Sequence, residues 1–180
     1  MTASPAPSTA AAITLLLLDV DGVLTDGTII LDEQGKESKR FFVRDGLAIR
    51  RWIDYGFSVA IISGRTSSAV DARAKELGIS HVYQGIDDKV AAAESIIDDI
   101  GGSWSTTGAM GDDLQDLPLL AAVAWSAAPS DGATEVAATA TLVTALGGGR
   151  GTVREAIEHL LSARGRSLTA EAEEASTTGA

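Results

Sequence analysis

The chain has no cysteine among its 180 residues. That excludes disulfides, thiolate nucleophiles and cysteine-ligated metals together. Histidine is nearly absent: His81 and His159 lie far apart and form no metal-ligand spacing, and His81, after "LGIS", reads as the start of a short strand. Aromatic residues are scarce, at 4%. Basic residues are outnumbered, 14 against 25 acids, for a formal net charge of -11. A nucleic-acid backbone or an anionic membrane needs a basic face, so neither partner is expected. A small phosphorylated ligand needs only a local positive pocket and is compatible with this balance. The longest early apolar run, Ile13 to Leu18, is far too short to span a bilayer. The opening "MTASPAPSTAAA" lacks the basic start and long apolar core of a signal peptide. The expected compartment is therefore the cytoplasm.

What is present fits a globular protein: 45% apolar and 22% charged residues in a length suited to one domain. The division expected is a disordered tail over 1–12, one domain over 13–165 and a second disordered tail over 166–180, where "LTAEAEEASTTGA" has little apolar content. Between the tails, strand and helix patterns alternate. "AITLLLLDV" and "FSVAIIS" read as buried strands, with "HVYQG", "WSTTGAMG", "AVAWSA" and "ATLVT" as shorter ones. "DGLAIRRWIDYG" reads as a helix capped by Asp45 and stopped by Gly56; "RTSSAVDARAKELG", "DDKVAAAESIIDDIGG", "DLQDLPLLAAV" and "TVREAIEHLLSARG" are further helices. "GTIILDEQGKESKRFFV" reads as a hairpin, with Gly35 suited to a turn needing positive φ. This alternation predicts an α/β fold: a Rossmann-like parallel sheet sandwiched by helices, with a β-hairpin flap after the first strand.

In such folds ligands bind beyond the carboxyl ends of the strands. The unusual residues fall there four times. Asp19 and Asp21 end the first strand in "LLLLDVDGVLTDG"; Ser63, Gly64 and Arg65 end "FSVAIIS"; Lys89 follows "HVYQG"; Asp112 and Asp113 follow "TTGAM", with Asp116 one turn later. Several carboxylates gathered at one point are tolerated when a hard divalent cation joins them, and Mg2+ prefers oxygen ligands; Asp19 and Asp112 are the expected direct ligands. One strand-end aspartate can serve as nucleophile, and a second two residues on can pass protons to a leaving oxygen. Ser63 and Lys89 would supply a hydroxyl and a cation to a phosphoryl group.

The segments "DVDGVLTD", "IISGR", "GIDDKV" and "MGDDLQDLP" resemble the four motifs of haloacid dehalogenase-like phosphohydrolases. The longer stretches "FFVRDGLAIR", "ARAKELGISHVYQGIDDK" and "GGGRGTVREA" are more specifically similar to the 3-deoxy-D-manno-octulosonate 8-phosphate (KDO 8-phosphate) phosphatases. The resemblance covers Ile13 to about Gly165. It implies a Mg2+-dependent phosphomonoesterase of lipopolysaccharide sugar biosynthesis, working through an aspartyl-phosphate. Asp19 would be nucleophile and metal ligand. Asp21 would be the general acid/base, with its carbonyl on the metal. Ser63 and Lys89 would hold the phosphoryl group, Asp112 would be the other carboxylate ligand, and Asp113 and Asp116 would support. Arg44, Asp45, Gly46, Arg50, Gly64, Arg65 and Arg73 match positions associated with substrate or subunit contacts. Arg150, in "GGGRG", is a candidate contact to a neighbouring subunit, in a Gly-rich arm that could serve as a lid.

The chain departs from the family pattern at Phe42, where relatives often carry Asn, at Met110, and at Gln115, where Pro is common. No stretch is long enough for a cap domain, so an open site is expected to borrow walls from neighbours. The resemblance implies a homotetramer formed through the hairpin at 28–43. Relatives acting on nine-carbon keto sugar acid 9-phosphates are the alternative substrate reading. A receiver-like phospho-accepting domain or a non-catalytic scaffold is the non-enzyme alternative. The first is disfavoured because the late acidic group follows Lys89 instead of preceding it. The second is disfavoured because all the carboxylates are present.

Overall fold

A computed structural model describes residues 9–169. Six parallel strands form one sheet in the order β5-β4-β1-β6-β7-β8: β1 (Leu15–Leu18), β4 (Ser58–Ser63), β5 (His81–Gln84), β6 (Thr107–Met110), β7 (Trp125–Ala128) and β8 (Leu142–Val143). The four consecutive leucines are explained by their place at its centre. β1 pairs with β4 on one side and β6 on the other, and both of its faces are covered. Leu16 and Leu18 enter a core with Ile49, Trp52, Val153 and Ile157, whereas Leu15 and Leu17 enter a second core with Ala93, Ile96 and Leu120. Strand alternation therefore delivers leucine to two hydrophobic layers, which a half-exposed strand could not use.

The helices divide accordingly. α2 (Val43–Asp54), α3 (Ser68–Leu77) and α7 (Thr152–Ser162) supply the first core. α4 (Lys89–Asp99), α5 (Leu117–Ala122) and α6 (Thr134–Thr139) supply the second. The chain leaves β1 for β4 and β5, then returns to β6 beside β1. The carboxyl ends of β1, β4 and β6 thus flank the point where the winding reverses, which is where such sheets open a crevice.

The expected flap is a short hairpin. Only β2 (Ile30–Leu31) and β3 (Glu37–Ser38) form ladder pairs, Ile30 with Ser38 and Leu31 with Glu37. Gly35 takes φ +76° in its turn, as its sequence context requires. Lys39 to Phe42 are not strand, because this stretch turns back to the sheet to start α2. Two boundaries of the expected tails also move. Thr9–Ala12 form a helical turn, α1, with Ala10 buried. At the other end Leu168 packs on the first core, and the Tyr55 hydroxyl donates to the Ser167 carbonyl at 2.9 Å. The remaining positions of both tails lie outside the described residues. Among the described residues, no helix is long and apolar enough to cross a membrane.

Candidate active site

Asp19 leaves β1 in extended backbone, its N–H donating to the Met110 carbonyl at 3.1 Å. The segment Val20–Leu24 then makes one wide helical turn that Gly22 opens with φ +91°. Two constraints fix glycine at position 22. The positive φ disfavours other residues, and a Cβ would stand 2.0 Å from Asp112 Oδ2. The acidic loop after β1 and the acidic loop after β6 are therefore in direct contact.

Three carboxylates meet there. Asp19, Asp112 and Asp116 each offer an oxygen within 4.8 Å of the others. Lys89, at the start of α4, lies among them with a side chain only 3% exposed; its Nζ is 2.7 Å from Asp19 Oδ1 and 2.5 Å from Asp116 Oδ1. Burial opposes its charge, but Asp19 and Asp116 outweigh this and hold the ammonium protonated. Both Asp116 oxygens are already engaged, Oδ1 by Lys89 and Oδ2 by the N–H groups of Asp112 at 3.0 Å and Asp113 at 3.2 Å, which donate to it. It orients the loop. Asp113 is exposed and caps the short turn Leu114–Asp116.

One lysine does not balance three acids. Burial pushes the Asp112 carboxyl up to about 7, with Asp19, Asp116 and Asp113 adding repulsion. Burial also raises Asp19, against the pull of Lys89. Asp112 Oδ1 is buried and has no hydrogen-bond partner. An orphaned oxygen beside surplus negative charge suits a hard divalent cation, so the donor set fits Mg2+. This predicts a proton count. Mg2+ should favour ionised Asp112, so binding near neutral pH should release a sizeable fraction of a proton, on the order of one half at pH 7. The release should shrink as pH rises above the raised value, because the carboxyl is then already ionised. Calorimetric titration of Mg2+ in buffers of different ionisation enthalpy measures this. Equal apparent enthalpies in all buffers at pH 7 would contradict it.

A cavity of about 200 Å3 opens beside these groups, lined by Asp19, Asp21, Ser63, Gly64, Arg65, Ile86, Asp87 and Gln115. Ser63 is buried at the end of β4, and its Oγ accepts the Arg65 N–H at 3.3 Å. Asp21 also lines the cavity. Its partners come partly from a place that reading the sequence missed. Lys39 Nζ, on the hairpin, is 2.5 Å from Asp21 Oδ1 and 2.5 Å from Glu37 Oε1. Arg65 Nη2 is 2.7 Å from Glu37 Oε2, and its Nε is 3.6 Å from Asp21 Oδ2. Lys39 stands in "GKESKR", where four of six residues are charged and a solvated face is the natural reading. No local signal marks it as buried.

The structure thus brings together Asp19, Asp21, Ser63, Gly64, Arg65, Lys89, Asp112 and Asp116. It separates the other candidates. Asp45 does not cap its own helix: α2 starts two residues earlier, after extended Phe42. Its carboxylate is buried and accepts the N–H groups of Arg154 at 2.8 Å and Gly151 at 3.2 Å, capping α7 instead. Burial lifts this carboxyl to about 6, despite the N–H groups of Arg154, Gly151 and Val153. Gly46 gives passage to Arg73, whose Nη2 lies 2.1 Å from where a Cβ would be, while Arg73 pairs with Glu76 at 2.7 Å. Within one chain the two pack on each other where α2 meets α3. Arg50 is exposed on α2. Arg44 and Arg150 line a different cavity of about 420 Å3 with Phe42, Leu146 and Arg154. The departure at Phe42 is therefore away from the acidic cluster within one chain.

The Gly-rich arm is not a lid. Gly147 and Gly148 are buried, and a Cβ on Gly148 would meet the Gly22 carbonyl oxygen at 1.9 Å. Gly149 donates its N–H to the Val23 carbonyl at 2.9 Å. These glycines let the backbone approach close enough to brace the acidic loop.

No protein-family profile matches the chain. Individual proteins do. The 3-deoxy-D-manno-octulosonate 8-phosphate phosphatase KdsC of Escherichia coli K12 is 42% identical over 154 residues, covering 86% of this chain and 82% of its own length. The KdsC of Yersinia pestis is 43% identical over 155 residues, covering 86% and 83%. This chain belongs to the KDO 8-phosphate phosphatase family. The fold agrees at the level of coordinates. The crystal structure of the Yersinia pestis phosphatase superposes with a TM-score of 0.86 at 42% identity, over 88% of this chain and 85% of that one. The Moraxella catarrhalis phosphatase, solved with magnesium, phosphate and KDO, gives 0.84 at 41% identity, over 86% and 89%. Family membership makes the parallel sheet a haloacid dehalogenase-like one and gives the acidic cluster a chemical context.

Proposed function

We propose that this chain is a Mg2+-dependent phosphomonoesterase that hydrolyses KDO 8-phosphate to KDO and phosphate. The observation that carries the reading is the convergence of Asp19, Asp21, Ser63, Lys89 and Asp112 from four strand ends on one small crevice, in a chain of this family. Residues 13–165 are the unit proposed to carry the activity.

In the reading proposed, the Asp19 carboxylate attacks phosphorus and the bond from phosphorus to the sugar oxygen breaks. Asp21 gives its proton to that oxygen, and KDO leaves. Asp21 then takes a proton from water as the water oxygen attacks phosphorus of the aspartyl-phosphate, which frees Asp19 and releases phosphate. Asp21 is placed for both duties because it lines the cavity two residues from the nucleophile, and Lys39 and Arg65 hold its side chain in position. Lys89 fixes the Asp19 rotamer and offsets its charge; Ser63 faces the phosphoryl position from β4. Asp19, Asp112 and the Asp21 carbonyl would hold Mg2+, which when bound supplies Lewis-acid shielding of the anionic phosphoryl oxygens.

Among the described residues no domain caps the site, and apolar side chains are exposed on the hairpin and at the start of α2. Ile29 and Leu31 on the hairpin are 52% and 58% exposed, and Val43 and Leu47 at the start of α2 are 78% and 54%. We read these as the contact through which copies associate into the homotetramer that the family resemblance implies. Light scattering on the active enzyme reads this directly, and a fully active monomer would overturn it.

The decisive assay is a panel of KDO 8-phosphate, a nine-carbon keto sugar acid 9-phosphate and arabinose 5-phosphate, each with Mg2+. The largest kcat/KM is expected for KDO 8-phosphate. A larger value for the nine-carbon substrate would reassign the sugar, and a larger value for arabinose 5-phosphate would remove the sugar acid from the account.

A further inference from the structure

Four charged groups form a ring beside the 200 Å3 cavity, which Asp21 and Arg65 line: Lys39 bridges Asp21 and Glu37, and Arg65 contacts the same two carboxylates. The reaction proposed above uses Asp21. It gives Glu37 nothing to do. A carboxylate this near a site for an anionic substrate is unfavourable on its face, since like charges a few ångströms apart repel.

The geometry shows what Glu37 does occupy. Its two oxygens are divided between two cations, Oε1 on Lys39 and Oε2 on Arg65. The Lys39 side chain is 3% exposed, whereas that of Arg65 is 46% exposed. Glu37 belongs to a two-pair ladder whose partner, Leu31, is itself exposed. Bridging two cations with two oxygens is the binding mode of a free carboxylate.

We propose that Glu37 is a stand-in for the carboxylate of the substrate: it holds the Lys39–Arg65 pair in the free enzyme and is displaced when a sugar acid phosphate binds. This rests on the substrate class proposed above. The exchange replaces one carboxylate by another, so it costs a sugar acid little. A phosphate ester without a carboxylate makes no exchange and leaves the ring as it is. Glu37 would then compete with the substrate carboxylate for the Lys39–Arg65 pair, an effect felt by carboxylate-bearing ligands alone. The same ring keeps Lys39 charged and in place, and holds the Glu37 carboxyl below its ordinary range through its hydrogen bonds to Lys39 and Arg65.

The test is Glu37→Gln, which keeps the shape and removes the charge. Glu37 lies at the edge of a hairpin, outside both hydrophobic cores, so the variant should fold. The competitor is then weakened, and KM for KDO 8-phosphate should fall, by about three- to tenfold, with kcat little changed. For arabinose 5-phosphate and p-nitrophenyl phosphate, KM should change by less than about twofold, as no carboxylate is exchanged. Free KDO should inhibit p-nitrophenyl phosphate hydrolysis more tightly in the variant than in the wild type. An unchanged or raised KM for KDO 8-phosphate, in a wild-type background that prefers this substrate, would overturn the role of Glu37 alone. A wild-type enzyme with no preference for carboxylate-bearing esters would overturn the substrate class, and this inference with it.

Discussion

Asp19→Asn is expected to remove turnover, with kcat down by at least about a thousandfold, because an amide cannot be the nucleophile. The fold should survive. Asp19 is buried and surrounded by negative charge, and burial together with Asp116 works against its ionised form. Replacing it by an isosteric neutral group therefore relieves repulsion toward Asp112 and Asp116, while Lys89 keeps its 2.5 Å contact to Asp116. The circular dichroism spectrum should be unchanged, and thermal stability without metal should equal or exceed that of the wild type. Retention of more than about a hundredth of the wild-type rate would contradict nucleophilic catalysis by this residue.

Lys89→Met should fail in two ways at once. Among the described residues the ammonium is the one cation paired inside this cluster of three acids, with its side chain 3% exposed and those of Asp19 and Asp116 4% and 2% exposed. Removing one partner of a buried ionic network leaves uncompensated buried charge, at a cost of about 3–5 kcal/mol. Activity should fall by about a hundred- to a thousandfold, the usual effect of losing one preorganised electrostatic contact. The two losses separate by pH. Asp19 and Asp112 both have raised pKa values, so the folded state binds more protons than the unfolded chain between the ordinary carboxylate range and neutrality. Stability from this cluster therefore falls as pH rises through that window, and the fall should be steeper without Lys89. Urea denaturation at pH 5 and pH 7.5 reads the effect. A variant as stable as the wild type at pH 7.5 would mean that Lys89 does not balance the cluster.

The parts of this molecule that are legible in its sequence are those carried by one segment each. Four leucines in a row require a strand buried on both faces, and β1 has that place. The strand ends carry the odd polar residues, and a parallel sheet must put those ends along one edge, so Asp19, Ser63, Lys89 and Asp112 could be gathered before any coordinates. Gly56 and Gly78 stop their helices with φ +82° and +79°, as isolated glycines after apolar stripes do.

What was not legible depends on pairs distant along the chain. Asp45 has the residue type and position of a helix N-cap, and it is one, but for α7, more than a hundred residues on. Nothing in "VRDGLAIR" separates the two cases. Lys39 and Glu37 read as solvated charges because their burial comes from the hairpin folding over the site. Arg73 passes over Gly46 within one chain, and the missing side chain that makes this room leaves no mark on the helix that carries Arg73. The loop "GGGRG" reads as mobile because glycine is permissive, although here the same lack of a Cβ allows tight packing against Gly22 and Thr25.

The central claim is that two aspartates on one loop divide the chemistry, Asp19 bonding to phosphorus and Asp21 moving the proton. It is tested most directly by Asp21→Asn with p-nitrophenyl phosphate and Mg2+, since this leaving group departs without a proton donor while hydrolysis of an aspartyl-phosphate still needs a base. Rapid mixing should show a burst of p-nitrophenol approaching one equivalent per active site, then slow turnover, with the acid-quenched enzyme carrying a phosphoryl group at Asp19. Linear release from the first turnover, with no phosphoryl group on the protein, would contradict the account.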